Sequence, residues 1–180
     1  CRGKSFRQSR SISSGSNIVD TEPTKVIQKI WQHAGVQQGT VWMPSIVNIN
    51  KKGERFREGA PSNVATPNLP ELLDSVDWYF TPAVSSSPSR KAKNYPAQRV
   101  LWVDCDDSYN DKLLTKLMPT YLWETSAGHK QAVWLMRESI SPEEFSKDGL
   151  IGLLTQAVGA DKSGVDIGQL LRVPGTWHHK

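Results

Sequence analysis

The residue pattern predicts helices layered on a sheet, an α/β or α+β domain. Short runs rich in β-branched and aromatic residues interleave along the chain with segments whose apolar positions recur at helical spacing. There is no internal repeat, and 180 residues suit one domain, or one with a small appendage.

Residues 1–20 carry Arg2, Lys4, Arg7 and Arg10 among many serines and read as a flexible basic arm. Thr21-Glu22-Pro23 opens a helix, since proline fits the first turn and an acidic neighbour suits it. Val26, Ile27, Ile30 and Trp31 then share one face, and Gly35 ends the helix. Residues 41–50 read as a strand, Lys51-Lys52-Gly53 as a turn and residues 54–58 as the returning strand. Residues 69–76 read as a short helix, and Trp78-Tyr79-Phe80 begins another strand. Residues 85–99 form a loop holding Arg90, Lys91, Lys93 and Arg99 with no acid among them. A loop of that length inside a compact domain is either functional or a solvated charged surface.

Residues 99–106 read as a strand, and residues 111–118 as a helix stopped by Pro119. Residues 121–124 and 131–136 read as two strands joined by a turn at 125–129. Ser141-Pro142-Glu143-Glu144 combines an N-cap serine, a proline at the first helical position and a glutamate three residues after the cap. It predicts a helix running to about Val158 and ended by Gly159. Residues 164–180 are irregular, or a strand followed by a turn at Pro174-Gly175.

Composition narrows the function. The hydrophobic fraction of 37% supports a packed core, and 22% charged residues argue against wholesale disorder. No apolar run is long enough to suggest a membrane span, and no signal-peptide core follows the first residues. Cys1 and Cys105 are too few for a disulfide framework or a cysteine-rich zinc site, so a reducing, intracellular setting is expected. The chain does not begin with Met and ends abruptly, which reads as a fragment of a longer protein. The net charge of +4 and pI of 9.1 permit nucleic-acid or nucleotide binding without demonstrating it. The seven tryptophans read chiefly as packing residues.

Three stretches could carry chemistry. In Leu101-Trp102-Val103-Asp104-Cys105-Asp106-Asp107, alternation along a strand points Asp104 and Asp106 the same way, about 6.6 Å apart. Leu101, Val103 and Cys105 face the core. Two like charges on one face repel, and a Mg²⁺ or Mn²⁺ ion would relieve that cost. Paired carboxylates suit two-metal phosphoryl transfer; the alternative is that the acids merely leave the sheet for a loop. In the second stretch, residues 125–130, the Ser126 hydroxyl, backbone N–H groups near Gly128, His129 and Lys130 could grip a phosphate at a sheet end, or His129 is only a solvated turn residue. The third joins Asp161 and Asp166 to Arg172-Val173-Pro174-Gly175-Thr176 and Lys180, offering another acid and more cations. His178 and His179 point in different directions on an extended chain, which rejects zinc. Serine-hydrolase, P-loop and dinucleotide-binding motifs are absent.

In this order the three stretches resemble the catalytic domain of archaeo-eukaryotic-type primases, in the primase-polymerase branch of phage and plasmid replication proteins. An apolar strand ending in D-x-D matches residues 101–106. A Ser-x-His-like turn before a strand matches residues 124–134, and an acid preceding Arg-x-Pro-Gly-Thr matches Asp161 or Asp166 with residues 172–176. Trp78-Tyr79-Phe80-Thr81-Pro82-Ala83 also looks like this branch, and the resemblance covers roughly residues 40–180. It departs at His178, where related chains often carry Asn, and at Lys180, the last residue, so a C-terminal helical or helicase domain is not included.

The resemblance implies an α+β fold: an RNA-recognition-motif-like catalytic sheet with helices, beside a smaller N-terminal α/β module. Residues 21–180 would be a single catalytic domain, with residues 21–98 the module and residues 99–180 the motif-bearing part. It implies a template-dependent primase and DNA polymerase that makes or extends primers on single-stranded DNA from nucleoside triphosphates, with a helicase domain or protein as partner. Asp104, Asp106 and Asp166 (alternatively Asp161) would hold Mg²⁺ or Mn²⁺. Ser126, Gly128, His129, Lys130, Arg172 and Lys180 would contact the nucleotide, with His129 also catalytic. Arg90, Lys91, Lys93 and Arg99 would contact DNA. The expected setting is the cytoplasm of a bacterial or archaeal host, the protein being phage- or plasmid-encoded. A non-catalytic single-strand or replication-origin binding module on the same fold is the alternative, and a metal-dependent nuclease ranks last.

Overall fold

A computed structural model describes residues 22–47, 55–106 and 108–176, and shows a mixed α+β fold of antiparallel sheets and few helices. The basic arm, the turn at 51–53, Asp107, His178, His179 and Lys180 lie outside the described residues. Helix α1 (Pro23–His33) starts at the proline and buries Val26, Ile27, Ile30 and Trp31, the face its spacing predicts. The Trp31 indole donates to the Thr81 carbonyl at 2.6 Å and meets Phe80 edge-on.

The strand expected over 41–50 is broken around Pro44 into β1 (Thr40–Val41) and β2 (Ser45–Val47), since proline brings no ladder donor. Its return strand is β3 (Arg55–Arg57). Then come β4 (Ser62–Asn63), which pairs with β1, and β5 (Asp77–Phe80). No helix forms over 69–76: Pro70 disfavours helical geometry at Leu69, and Leu69 and Leu72 pack on the core from an irregular segment ending in a turn. The expected loop at 85–99 is an ordered one. Ser85, Ser86 and Asn94 stitch it together, the Ser86 hydroxyl donating to the Asn94 carbonyl at 2.8 Å. Buried Gln98 closes it by bonding both the N–H and the carbonyl of Val84.

The motif-bearing half follows as β6 (Gln98–Cys105), α2 (Asp111–Lys116), β7 (Tyr121–Ser126), β8 (His129–Ile140) and α3 (Leu150–Val158). The 3-10 turn Lys162–Val165 then leads to β9 (Leu171–Arg172). Three of these strands form a sheet in the order β6-β8-β7, and a four-stranded sheet runs β3-β2-β5-β9. The main core takes side chains from both halves of the chain, among them Ile30, Phe80, Trp102, Trp123, Phe145 and Leu171. A second cluster packs Val103, Cys105 and Ala132 of the three-stranded sheet against Leu114 of α2 and Val158 of α3.

The helix expected from Ser141 onward is shorter than its start signal suggests. The capping box forms: the Ser141 N–H donates to Glu144 Oε2 at 2.9 Å, and the Glu144 N–H to Ser141 Oγ at 3.2 Å. Only one turn follows, and α3 begins afresh at Leu150, whose N–H reaches back to the Glu144 carbonyl. The cause is tertiary. Phe145 is buried beside the fully buried Trp102, with ring centroids 4.9 Å apart. A side chain at Gly149 would strike the Glu144 carbonyl, so the chain can rewind tightly only with glycine there. Phe145→Ala should therefore lower unfolding free energy by about 3–5 kcal/mol, read as a reduced urea midpoint at unchanged slope.

Candidate functional site

Strand β6 builds the site by alternation. Val103 and Cys105 enter the second core cluster, while Trp102 and Asp104 face the other way. Burial, followed by the charge of Asp104, pushes the Cys105 thiol up to about 12, so it is a core residue, as its strand position predicts. The third motif segment docks along the end of this strand. The Asp161 N–H donates to the Asp104 carbonyl at 2.8 Å, and the Trp102 indole donates to the Gly164 carbonyl at 3.0 Å. Gly164 lies so close that a Cβ on it would stand 3.5 Å from Asp104 Cβ.

Asp104 is accordingly a half-buried carboxylate in a crowd of charge. Burial is the main cause that raises it to about 6. A hydrogen bond from Gln131 opposes that rise, the charges of Asp106 and Asp161 add to it, and Arg172 opposes it. Asp106 follows the last residue of β6 and is exposed. Its Oδ1 is 3.2 Å from Nδ1 of His129, the first residue of β8. His129 pairs with Ser126 across the turn at Ala127-Gly128, where Gly128 adopts φ +80° and a Cβ would meet nothing. The Gly128 N–H donates to Glu124 Oε1 at 3.1 Å.

The two candidate third acids sit at opposite ends of the 3-10 turn. Asp161 caps its start: its carboxylate accepts from the Ser163 N–H at 2.9 Å and from the Ser163 hydroxyl, which hold it below the usual carboxylate range. Asp166 closes the turn, accepts from the Gly168 N–H at 2.8 Å, and acts electrostatically on buried Tyr95. His129 thus pairs with Asp106, and Asp161 is bonded to Asp104 through the backbone while its carboxylate turns to Ser163; Asp166 bonds Gly168 and acts on Tyr95.

The candidate cations are held by the protein in different ways. Arg172 is buried and paired with Asp77 at 3.2 Å; its Nη2 donates to the Tyr79 hydroxyl at 2.8 Å, and its guanidinium lies over the Tyr79 ring. Lys130 donates to Asp111 at 2.6 Å, which raises its pKa, and it leans toward the Tyr109 ring. Arg90 pairs with Glu58 at 3.2 Å. Arg99 reaches Ser139 and lies over Gly35, at the end of α1. Lys91 and Lys93 are exposed, and Lys93 borders a groove of about 580 Å³ shared with Ser163 and Asp166. Asp77, Tyr79, Asp111 and Gln131 escaped the sequence reading. Each acts through a partner distant in sequence, and no local motif marks it.

Among the described residues, no three His, Cys, Asp or Glu side chains lie close enough to cage a metal by themselves. Mg²⁺ and Mn²⁺ are commonly held by one or two carboxylates with substrate phosphates and water. Asp104 and Asp106 would supply hard oxygen donors of that kind, and the charge of Asp106 acts against ionisation of Asp104.

No family model and no curated protein matches the sequence. Among solved structures, the fold is similar to the AEP domain of the cyanophage S-2L primase-polymerase (PrimPol), with a TM-score of 0.55 and 12% identity. The match spans 78% of this chain and 75% of that one. At that identity the likeness is one of fold. Among the described residues no helix is long and apolar enough to cross a membrane.

The environment of Asp104 has a pH signature. Its folded pKa of about 6 lies above the unfolded value near 3.8, so the charged form is the one disfavoured by folding. Its contribution is fully favourable below about pH 4 and is lost as pH rises through 6. Asp104→Asn, kept free of divalent ions with chelator, should melt above the parent protein at pH 8, and the gap should close as pH falls from 6 to 4. Equal melting temperatures at every pH would contradict this account.

Proposed function

We propose that this chain is a primase-polymerase, a metal-dependent nucleotidyltransferase that makes or extends primers on single-stranded DNA from nucleoside triphosphates. The observation that carries the reading is the pairing of Asp106 with His129 at the end of β6, next to Asp104, whose carbonyl accepts the Asp161 N–H. The fold likeness to a primase-polymerase domain supports it. So does the order β6-α2-β7-β8-α3, with both helices on one face of an antiparallel sheet, as expected of an RNA-recognition-motif-like catalytic part. In this reading residues 21–98 are the N-terminal module of the same catalytic domain and residues 99–180 its motif-bearing part.

Asp104 and Asp106 would hold Mg²⁺ or Mn²⁺, with Asp166, or alternatively Asp161, as the third carboxylate; Asp161 is the one whose charge acts on Asp104, while its carboxylate is bonded to Ser163. When bound, the ion supplies Lewis-acid chemistry at the attacking hydroxyl and the triphosphate. The protein's own groups then divide the work. Asp104 sits on a paired strand with Gln131 directly opposite, so its carboxylate would need little reorganisation. His129, oriented by Asp106, and Ser126 beside it would meet the triphosphate at the hairpin turn. Arg172 would act as a fixed buried charge, its side chain already committed to Asp77 and Tyr79. Lys130 would contribute while tethered to Asp111. Lys180 would join these nucleotide contacts. Arg90, Lys91, Lys93 and Arg99 would meet the template backbone, and this contribution should weaken with salt.

The test is nucleotide incorporation on primed and unprimed single-stranded templates with Mg²⁺ or Mn²⁺. Asp104→Ala/Asp106→Ala should fall to background, and His129→Ala should lose about 10²-fold in kcat. A double variant as active as the parent protein would sink the assignment. Template binding with no incorporation by the parent protein would indicate a non-catalytic binding module. DNA hydrolysis without added nucleotides would indicate a nuclease.

A further inference from the structure

Gln131 is opposite Asp104 in the β6-β8 register and opposite Trp123 in the β7-β8 register, so it occupies the middle strand directly beside the acid. It is 5% exposed, and its Oε1 accepts the Arg172 backbone N–H at 2.9 Å. With the carbonyl end taken by Arg172, the amide end is the donor left on the strand face it shares with Asp104, directly opposite, where it favours the charged form of that carboxylate.

The arrangement joins two sheets at one point. Arg172 belongs to β9, which pairs with β5 in the four-stranded sheet through Tyr79 and Phe80, whereas Gln131 and Asp104 belong to the three-stranded one. Arg172 is itself immobilised by Asp77 and Tyr79. The chain Asp77–Arg172–Gln131–Asp104 therefore runs from the core of one sheet to the acid at the end of the other, through an ion pair, a hydrogen bond to the Arg172 backbone and the cross-strand pairing of Gln131 with Asp104.

We propose that Gln131 is a positioning residue: it locks the orientation of the Asp104 carboxylate and transmits to it the anchored position of β9. This rests on the reading of Asp104 as a metal-holding acid. A carboxylate free to rotate presents its oxygens to an ion only part of the time. One pinned by a buried amide presents them always. Partners of this kind, one step removed from the ion, change metal affinity or activity by about 10–100-fold when replaced. Asp106 has a different orienting partner, His129, which approaches from the hairpin turn. The two acids are thus held from separate directions.

The test compares Mn²⁺ binding, followed by the electron paramagnetic resonance signal of the free ion, for the parent protein, Gln131→Met and Asp104→Asn. Methionine nearly matches glutamine in volume and removes both the bond to Arg172 and the amide donor beside Asp104. The expected result is an affinity about 10–100-fold weaker in Gln131→Met, with nucleotide addition reduced in parallel. Asp104→Asn should be weaker still. As a measurement on the parent protein that needs no variant to fold, the Gln131 side-chain amide resonance should shift when Mg²⁺ saturates the protein. Parent-like Mn²⁺ affinity in Gln131→Met, or an amide resonance unmoved at saturation, overturns the positioning role and leaves the acids standing as a site. Weakened Mn²⁺ binding in Gln131→Met together with no nucleotide addition by the parent protein supports the positioning role and defeats the transferase reading. A parent protein that binds no Mn²⁺ defeats both.

Discussion

A guanidinium with 6% of its residue surface exposed must have company, and the way Arg172 finds it organises much of this fold. Asp77 supplies the opposite charge from the start of β5, itself only 2% exposed. Tyr79, two residues on and so on the same face of the strand, adds a hydroxyl acceptor and a ring to lie against. Removing one partner of a buried pair strands the other charge, at a cost of about 3–5 kcal/mol. That penalty is what makes a strand as short as Leu171–Arg172 hold its place. Once β9 is fixed, its backbone N–H has one position to offer Gln131, and the end of β6 inherits the geometry.

Asp104 is in the reverse situation. It is a carboxylate placed among carboxylates, with burial and the charges of Asp106 and Asp161 working against ionisation and Arg172 and Gln131 working for it. A protein selected only for stability would not put an acid there. Local rules of this sort are broken mainly where a function compensates for the loss, and in the proposed function a divalent ion shared with a polyphosphate would be that compensation. The same logic separates Asp104 from Asp161, whose charge is satisfied at once by Ser163.

Elements with a strong local signature were legible in the sequence. The buried face of α1, the alternation of β6 and the β7–β8 hairpin with its glycine turn follow from spacing, while the nearness of its histidine to the D-x-D strand was what the family resemblance implied. The expectations that failed did so where a distant residue outvoted a local one. A sound capping box at Ser141 gave one turn because Phe145 packs on Trp102. Residues 69–76 form no helix because Pro70 disfavours it at Leu69 and the core holds Leu69 and Leu72. The links through Asp77, Tyr79 and Gln131 join positions about 40 to 95 residues apart, from the spacings in this numbering. No pattern in a single sequence marks such pairs, so the motif residues could be recognised while the groups that hold them could not.

Cys105 lies between the two acids in sequence and opposite to them in space, its thiol sealed in the cluster with Leu114 and Val158. Burial keeps it protonated at any ordinary pH, and a protonated, enclosed sulfur does not react with alkylating reagents. Modification at that position can therefore proceed only through molecules in which β6 has come away from α2 and α3. The rate at which a reagent reaches this sulfur becomes a direct gauge of how often the acid-bearing strand detaches from its supports, and ligands that tighten the strand should slow it.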